Sequence, residues 1–270
     1  EAEDEMYKKM EELVDAKEID ACVTMHYNFP IGVSTVGRVV APGRGREMFL
    51  ATTTGTSATD RVEAMTRNAI YGIATAKACG KKKPTVGILN LDGARQVEKI
   101  LINLKENGYD FDFAESMRAD GGAVMRGNDL LIGVPDVMVT DTLTGNLLMK
   151  VFSSFNTGGD FEAQGYGYGP GIGEDYDRRV LILSRASGSP VVANALKYAY
   201  DIVKGEVNVV ARDEYKKAIK CGLDKEIEEL KAKKAPNEAV EEVKAPEKEV
   251  VTEAITGVDI LDLEDAVKSL

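Results

Sequence analysis

Three short runs in the chain follow one pattern: an apolar stretch, then hydroxyl or amide residues around a glycine, then an amphipathic helical stretch. They are Thr52-Thr53-Thr54-Gly55-Thr56-Ser57, Asp141-Thr142-Leu143-Thr144-Gly145-Asn146 and Ser184-Arg185-Ala186-Ser187-Gly188-Ser189. Read as a strand end turning into a helix, each offers unpaired N–H groups and partial positive charge, and the glycine lets an anion approach the backbone. Phosphate is the natural guest. The candidate ligands are Thr54, Gly55, Thr56 and Ser57; Asp141, Thr144, Gly145 and Asn146; and Ser184, Ser187, Gly188 and Ser189. Arg185 adds a fixed cation whose planar fork can hold two anionic oxygens. Because Ser, Thr and Asn are also the ordinary helix caps, any one run alone reads as a cap. The phosphate reading needs all three to meet, as they do in an open α/β sheet when the loops follow the carboxyl ends of neighbouring strands.

The chain has three cysteines, Cys22, Cys79 and Cys221, with no CxxC pair, and its single histidine is His26. That composition supplies no metal-ligand set and implies a reduced, metal-free protein without a cofactor. Cys22 lies in an apolar strand and reads as packing; Cys79 ends a helix. Cys221 follows Lys216, Lys217 and Lys220 and precedes a helix start near Asp224, surroundings that favour thiolate. It is the candidate nucleophile. His26, alone at a strand end, reads as a structural residue. No Walker-type loop is present, and Gly167-Tyr168-Gly169-Pro170-Gly171 does not sit between a strand and a helix as a dinucleotide fingerprint requires. The glycine-tyrosine stretch from Gly165 to Gly171 reads either as a mobile lid or as a surface insertion.

These residues have to be positioned by alternating elements. Strands are expected at 21–25, 48–52, 85–90, 137–141 and 180–184, apolar on both faces as in a covered sheet. Helices carry Val62, Met65, Ala69 and Ile73; Val97, Ile100, Leu101 and Leu104; and Leu147, Leu148, Val151, Phe152 and Phe155. A further helix has Ser189 as N-cap, Pro190 at its first position and Gly205 as its stop. A leading amphipathic helix bears Met6, Met10 and Leu13. The alternation implies an α/β fold within 270 residues, a length that supports a sizeable core. The formal charge of −11 disfavours nucleic acid and anionic membrane surfaces, and no apolar span or secretory segment appears, so the chain reads as cytoplasmic. Composition divides it into an α/β domain over 1–207 and a charged helical extension over 208–270. That extension comprises helices over 211–234, a linker over 235–253 and an amphipathic docking segment over 256–269 with Val258, Leu261, Leu263 and Val267.

Pro84 to Asn90 (PTVGILN), Pro135 to Lys150 (PDVMVTDTLTGNLLMK), Met48 to Ala69 and Arg179 to Ala199 resemble, in order and spacing, the PlsX-type acyl-phosphate synthases and phosphotransacetylases of the phosphate acyltransferase superfamily. Lys17 to Gly37 is similar more loosely, and His26, Tyr27 and Asn28 depart from the family's asparagine-glycine turn there. The resemblance covers about residues 10 to 205. The Gly165–Gly171 stretch and Lys220-Cys221-Gly222 resemble, within the superfamily, the component C alpha subunits of glycine/sarcosine/betaine reductases. The resemblance implies a three-layer α/β/α fold with a mostly parallel sheet of the isocitrate-dehydrogenase-like type, in two subdomains with a cleft between them. Since the family begins upstream of Glu1, it also implies that part of the sheet and of the substrate site lies outside this chain.

The implied reaction is attack of phosphate on an enzyme-bound acetyl thioester, releasing acetyl phosphate. Cys221 would carry the acetyl group unless a partner presents it, Arg185 would orient phosphate, and Asp141 would position it or hold a neighbouring donor. The implied partners are a ketosynthase-like beta subunit and the selenoprotein component A. Fatty-acyl transfer from acyl carrier protein to phosphate is an alternative, as is a noncatalytic scaffold that docks the beta subunit through 256–269.

Overall fold

The computed structural model describes residues 2–241, with side chains over 4–233. The expected docking segment at 256–269 lies outside the described residues. The elements are α1 (Ala2–Asp15), β1 (Cys22–Thr24), β2 (Val33–Ala41), β3 (Arg46–Thr56), α2 (Arg61–Ala78), β4 (Thr85–Leu89), α3 (Ala94–Glu106), β5 (Asp112–Phe113), β6 (Val124–Met125), α4 (Gly127–Ile132), β7 (Val137–Val139), α5 (Thr142–Ser154), β8 (Gly169–Ile172), β9 (Val180–Ile182), α6 (Ser189–Lys204), α7 (Val207–Lys220) and α8 (Leu223–Glu241).

The sheet runs β1-β9-β8-β2-β3-β7-β4-β5, with β6 also on β4. Pairing is parallel between β3 and β7, β7 and β4, β4 and β5, β4 and β6, and β1 and β9; it is antiparallel for β2–β3, β2–β8 and β8–β9. The fold is α/β with a mostly parallel, mixed sheet, consistent with a three-layer α/β/α arrangement. Val86, Ile88, Val137 and Val139 are fully buried, as central strands covered by helices must be. Helix α2 lies against them and is buried along most of its length.

Four strands escaped the sequence pattern: the two-residue β5 and β6, and the longer β2 and β8. β2 carries Ser34, Thr35, Gly37 and Arg38 among its valines, which hides its apolar alternation, yet it forms the long hairpin with β3. β8 is Gly169-Pro170-Gly171-Ile172, a composition with little strand propensity. It exists because its backbone passes so close to β2 that a Cβ on Gly169, at φ +84°, would lie 1.7 Å from the Val36 carbonyl oxygen. The glycine-tyrosine stretch is therefore neither a lid nor a surface insertion: Tyr166, Tyr168 and the residues through Ile172 are buried. Glycine serves there for close approach, not mobility.

Packing divides the chain into a compact unit over Glu1–Leu230 and a second over Lys231–Leu270. Helix α7, assigned by composition to the extension beyond 207, belongs to the first. Ala211, Tyr215 and Ala218 are buried, Tyr215 stacks on Tyr71 at 6.2 Å, and Lys77 pairs with Glu214 at 2.8 Å. Its charged outer face dominates the composition, while its inner stripe joins the core. Among the described residues no helix is long and apolar enough to cross a membrane.

Candidate anion site

The ends of β3 and β7 lie side by side because the strands are parallel neighbours in the register Ala51↔Val139. Three side chains from the β7–α5 junction brace that junction to β3. Thr140 Oγ1 donates to the Thr52 carbonyl at 3.0 Å, Thr142 Oγ1 to the Gly55 carbonyl at 2.8 Å, and Asn146 Nδ2 to the Thr53 carbonyl at 3.0 Å. The approach is so tight that a Cβ on Gly145 would sit 1.7 Å from the Thr52 oxygen. Only glycine fits.

The third run arrives differently. Three antiparallel steps from β3 through β2 and β8 leave β9 running opposite to β3, so its end does not lie beside theirs as a parallel neighbour would. Tyr168 supplies the link: its carbonyl accepts from Thr53 Oγ1 at 2.7 Å and its amide donates to the Ile182 carbonyl at 2.9 Å. The result is one cavity of about 260 Å³ lined by Met25, Thr54, Asn146, Lys150, Tyr168, Ile182, Leu183, Ser184 and Arg185. Each of the three runs contributes to it.

The individual residues sort sharply. In the first run Thr54 lines the cavity, while Gly55 and Thr56 continue β3 opposite Ser34 and Val33. Ser57 turns inward to Asn68 Oδ1 at 2.8 Å and the Ala64 carbonyl. Helix α2 starts only at Arg61, capped by Asp60, so this run is a strand end and not a helix start. In the second run Asp141 is a true N-cap: Oδ1 accepts from the Thr144 amide at 2.8 Å, and its carbonyl accepts from the Gly145 amide. Those amides are satisfied within the chain. Asn146 reaches the cavity.

In the third run Ser184 and Arg185 line the cavity, and the N-cap is Gly188, one residue before the expected Ser189, because Gly188 is the last extended residue. Ser187 Oγ donates to Glu162 Oε2 at 2.7 Å, the Gly188 amide to the Glu162 carbonyl, and Tyr168 OH to Glu162 Oε1 at 2.9 Å. A buried carboxylate of the chain thus stands at the start of α6, where phosphate was expected. Ser187, Gly188 and Ser189 do not line the cavity.

Sequence reasoning missed Lys150, although its spacing carried the signal: it follows Asn146 by four residues on the same helical face. Its Nζ lies 5.5 Å from the Tyr168 ring centroid, a cation held over an aromatic face. Burial and the Glu162 carboxylate hold the Tyr168 hydroxyl protonated, well above the ordinary phenol range. No local pattern announced Glu162. The cavity wall therefore presents two cations, the hydroxyls of Thr54 and Ser184 and an amide, with no carboxylate among its lining residues.

The thiols lie elsewhere. Cys221 caps α7, and its carbonyl accepts from Asn107 Nδ2 at 3.1 Å, just past the C-terminus of α3. Since α3 returns from the end of β4 to the beginning of β5, Cys221 sits at the opposite end of the sheet from the β3 and β7 ends. It is not part of the cavity. Burial pushes Cys22 up to about 11 and Cys79 to about 12, keeping both as thiols. Among the described residues no group of three or more His, Cys, Asp or Glu side chains is placed to hold a metal ion.

The whole chain, residues 1–270, matches the family described as fatty acid synthesis protein. It is 64% identical, over 99% of its own length and 70% of the relative's, to the glycine/sarcosine/betaine reductase complex component C subunit alpha of Peptoclostridium acidaminophilum. It is 38% identical over 88 residues to a phosphate acyltransferase of Caulobacter vibrioides, covering 30% of this chain and 22% of that one. With a phosphate acyltransferase of Fervidobacterium nodosum it shares 29% identity over 150 residues, 53% of this chain and 42% of that one. The chain belongs to the fatty acid synthesis protein family, and its relatives include phosphate acyltransferases and a component C alpha subunit of a glycine/sarcosine/betaine reductase complex.

Proposed function

We propose that the chain carries out phosphorolysis of an acetyl thioester, releasing acetyl phosphate as a cytoplasmic subunit of a glycine/sarcosine/betaine reductase complex. The observation that carries the reading is the pairing of Lys150 and Arg185 in one cavity walled by Thr54, Asn146 and Ser184. In a protein of net charge −11 such a local excess of positive charge selects an anion against the field of the whole molecule. Lys150 and Arg185 hold hydrogen phosphate, and the hydroxyls of Thr54 and Ser184 face charge growing on the thioester oxygen. A phosphate oxygen forms the new bond to the carbonyl carbon, the carbon–sulfur bond breaks, and the phosphate proton passes to the leaving thiolate.

Because none of the chain's three cysteines lines the cavity, the reading assigns the thioester to a thiol brought by a partner, the ketosynthase-like beta subunit or the selenoprotein component A. Cys221 no longer serves.

A second reading, transfer of a longer acyl chain to phosphate, draws support from one feature. An apolar groove of about 540 Å³, with Met6, Tyr7, Val23, Val192 and Leu196, shares Met25, Leu183 and Arg185 with the anion cavity.

The experiment supplies S-acetyl-N-acetylcysteamine and phosphate and traps acetyl phosphate as its hydroxamate. The double variant Lys150→Ala/Arg185→Ala is expected to lose about 100-fold in kcat/KM, about 2.7 kcal/mol of transition-state stabilisation. Wild-type protein that forms no acetyl phosphate, or a double variant that matches the wild type, overturns the assignment. Replacing acetyl by octanoyl separates the readings: a higher kcat/KM for octanoyl favours the second.

A further inference from the structure

The anion cavity and the apolar groove share a wall. Three residues belong to both: Met25, Leu183 and Arg185. They meet because β1 and β9 are parallel neighbours in the register Thr24↔Ile182, so Met25 leaves the sheet beside Leu183. Leu183 is fixed, 5% exposed, with its amide donating to the Thr24 carbonyl at 2.8 Å. Arg185 is the cation assigned to phosphate. Met25 is the remaining member of the wall and is 63% exposed. Its unbranched thioether side chain has three rotatable bonds and adapts to the space beside it.

Volume decides what each space can take. The cavity measures about 260 Å³. At roughly 30 Å³ for each water-sized group, it has room for about nine. Hydrogen phosphate brings five non-hydrogen atoms and an acetyl thioester four, counting its sulfur, and the space is then full. An octanoyl chain adds six carbons, which have to leave the cavity. The groove, at about 540 Å³, is large enough for them. Its walls suit a hydrocarbon: Met6, Val23, Val192 and Leu196 line it, with no Asp, Glu or Lys among its lining residues.

We propose that Met25 sets the acyl length, an assignment that rests on the phosphorolysis proposed above. Its side chain partitions the two spaces and holds the site to acetyl; without it the groove opens to longer acyl chains. A thiol-bearing arm is the poorer occupant of the groove. Amide groups on such an arm lose their water there without regaining hydrogen bonds, whereas each carbon of an alkyl chain gains by leaving water. Met25 therefore acts on the acyl side of the thioester and not on the thiol side.

The test measures kcat/KM for phosphorolysis of S-acetyl- and S-octanoyl-N-acetylcysteamine and reads their ratio. Met25→Ala is expected to shift the ratio about 100-fold toward octanoyl, a discrimination within reach of a few methylenes in an apolar pocket. Met25→Leu, close to methionine in volume, is expected to keep the wild-type ratio within about threefold. Adding Leu196→Trp to Met25→Ala fills the groove from an exposed position on α6 and is expected to restore the wild-type ratio. Calorimetric titration with S-octanoyl-N-acetylcysteamine, without phosphate, makes the comparison without turnover; Met25→Ala is expected to bind about tenfold more tightly than wild type. An unchanged ratio in Met25→Ala, with acetyl phosphate still formed, overturns the role of Met25 and leaves the phosphorolysis standing. So does a shift that Leu196→Trp does not reverse, since the groove is then not the space that was opened. Wild-type protein that already prefers octanoyl overturns it as well, because no partition then exists. Wild-type protein that forms no acetyl phosphate overturns the phosphorolysis instead; the titration then decides on Met25, and equal affinities of Met25→Ala and wild type sink it.

Discussion

The starts of α5 and α6 follow one pattern, small polar residues around a glycine in Asp-Thr-Leu-Thr-Gly-Asn and Ser-Arg-Ala-Ser-Gly-Ser, yet they meet different fates. At α5 the capping carboxylate is local: Asp141 binds the Thr144 amide, and the helix then carries Asn146 and Lys150 past the cap into a cavity. At α6 the anion comes from elsewhere in the chain: Glu162 receives Ser187 Oγ and fills the position a ligand would take. Unsatisfied donors at a helix start have to be met by something, and whether that is a side chain or a ligand is decided by neighbours far away in sequence. In both cases the cavity is served by residues beside the helix start and not by its amides.

The comparison breaks most easily at glycine. Gly145→Ala puts a methyl group 1.7 Å from the Thr52 carbonyl, a backbone atom that cannot move aside; the cost is expected to reach about 3 kcal/mol or more in denaturant unfolding. Gly188→Ala meets chiefly the ring edge of the exposed Phe161 at 2.7 Å, which can rotate, and is expected to cost about 1 kcal/mol. Equal costs would show that the two helix starts are packed alike.

Next in size, Glu162→Ala leaves the buried Tyr168 hydroxyl and Ser187 without their acceptor and is expected to lower stability by about 2 kcal/mol. Calorimetric titration with phosphate should show tighter binding if the emptied α6 start then accepts an anion; Glu162→Gln, which keeps an acceptor, should change affinity little. Asp141→Ala removes a surface-proximal cap and should cost about 1 kcal/mol by thermal unfolding.

The smallest effects sharpen the contrast between the cavity and its surroundings. Ser187→Ala should leave the KM for phosphate within about twofold, whereas Lys150→Ala should raise it about tenfold, an effect of about 1.4 kcal/mol. Cys221→Ala should leave turnover of a free thioester unchanged, as its placement beside Asn107 requires.

Much of the scaffold was legible because its signals are local. β3, β4, β7 and β9 announce themselves as apolar runs, α2, α3 and α6 as periodic stripes, and Gly205 does end α6. Thr54, Asn146, Ser184 and Arg185 were found for the same reason: each sits at a strand end or one turn into a helix. Lys150 could have been found by counting one turn from Asn146. β8, Glu162 and the inward stripe of α7 could not, because a strand of glycine and proline, a carboxylate bound to a residue 25 positions away and an alanine-tyrosine seam acquire their roles only through partners.

The sequence by itself determined the α/β alternation and the stop of α6 at Gly205, and its resemblance over about residues 10 to 205 pointed to the family. The alternation and the helix stop follow from backbone preference and side-chain chemistry within a few residues. Only the tertiary structure decided that β9 runs opposite to β3, that Tyr168 ties their ends into one cavity, and that Cys221 lies at the far end of the sheet. Strand direction and register are set by long-range packing, and a single reversal moves a whole loop from one end of the sheet to the other.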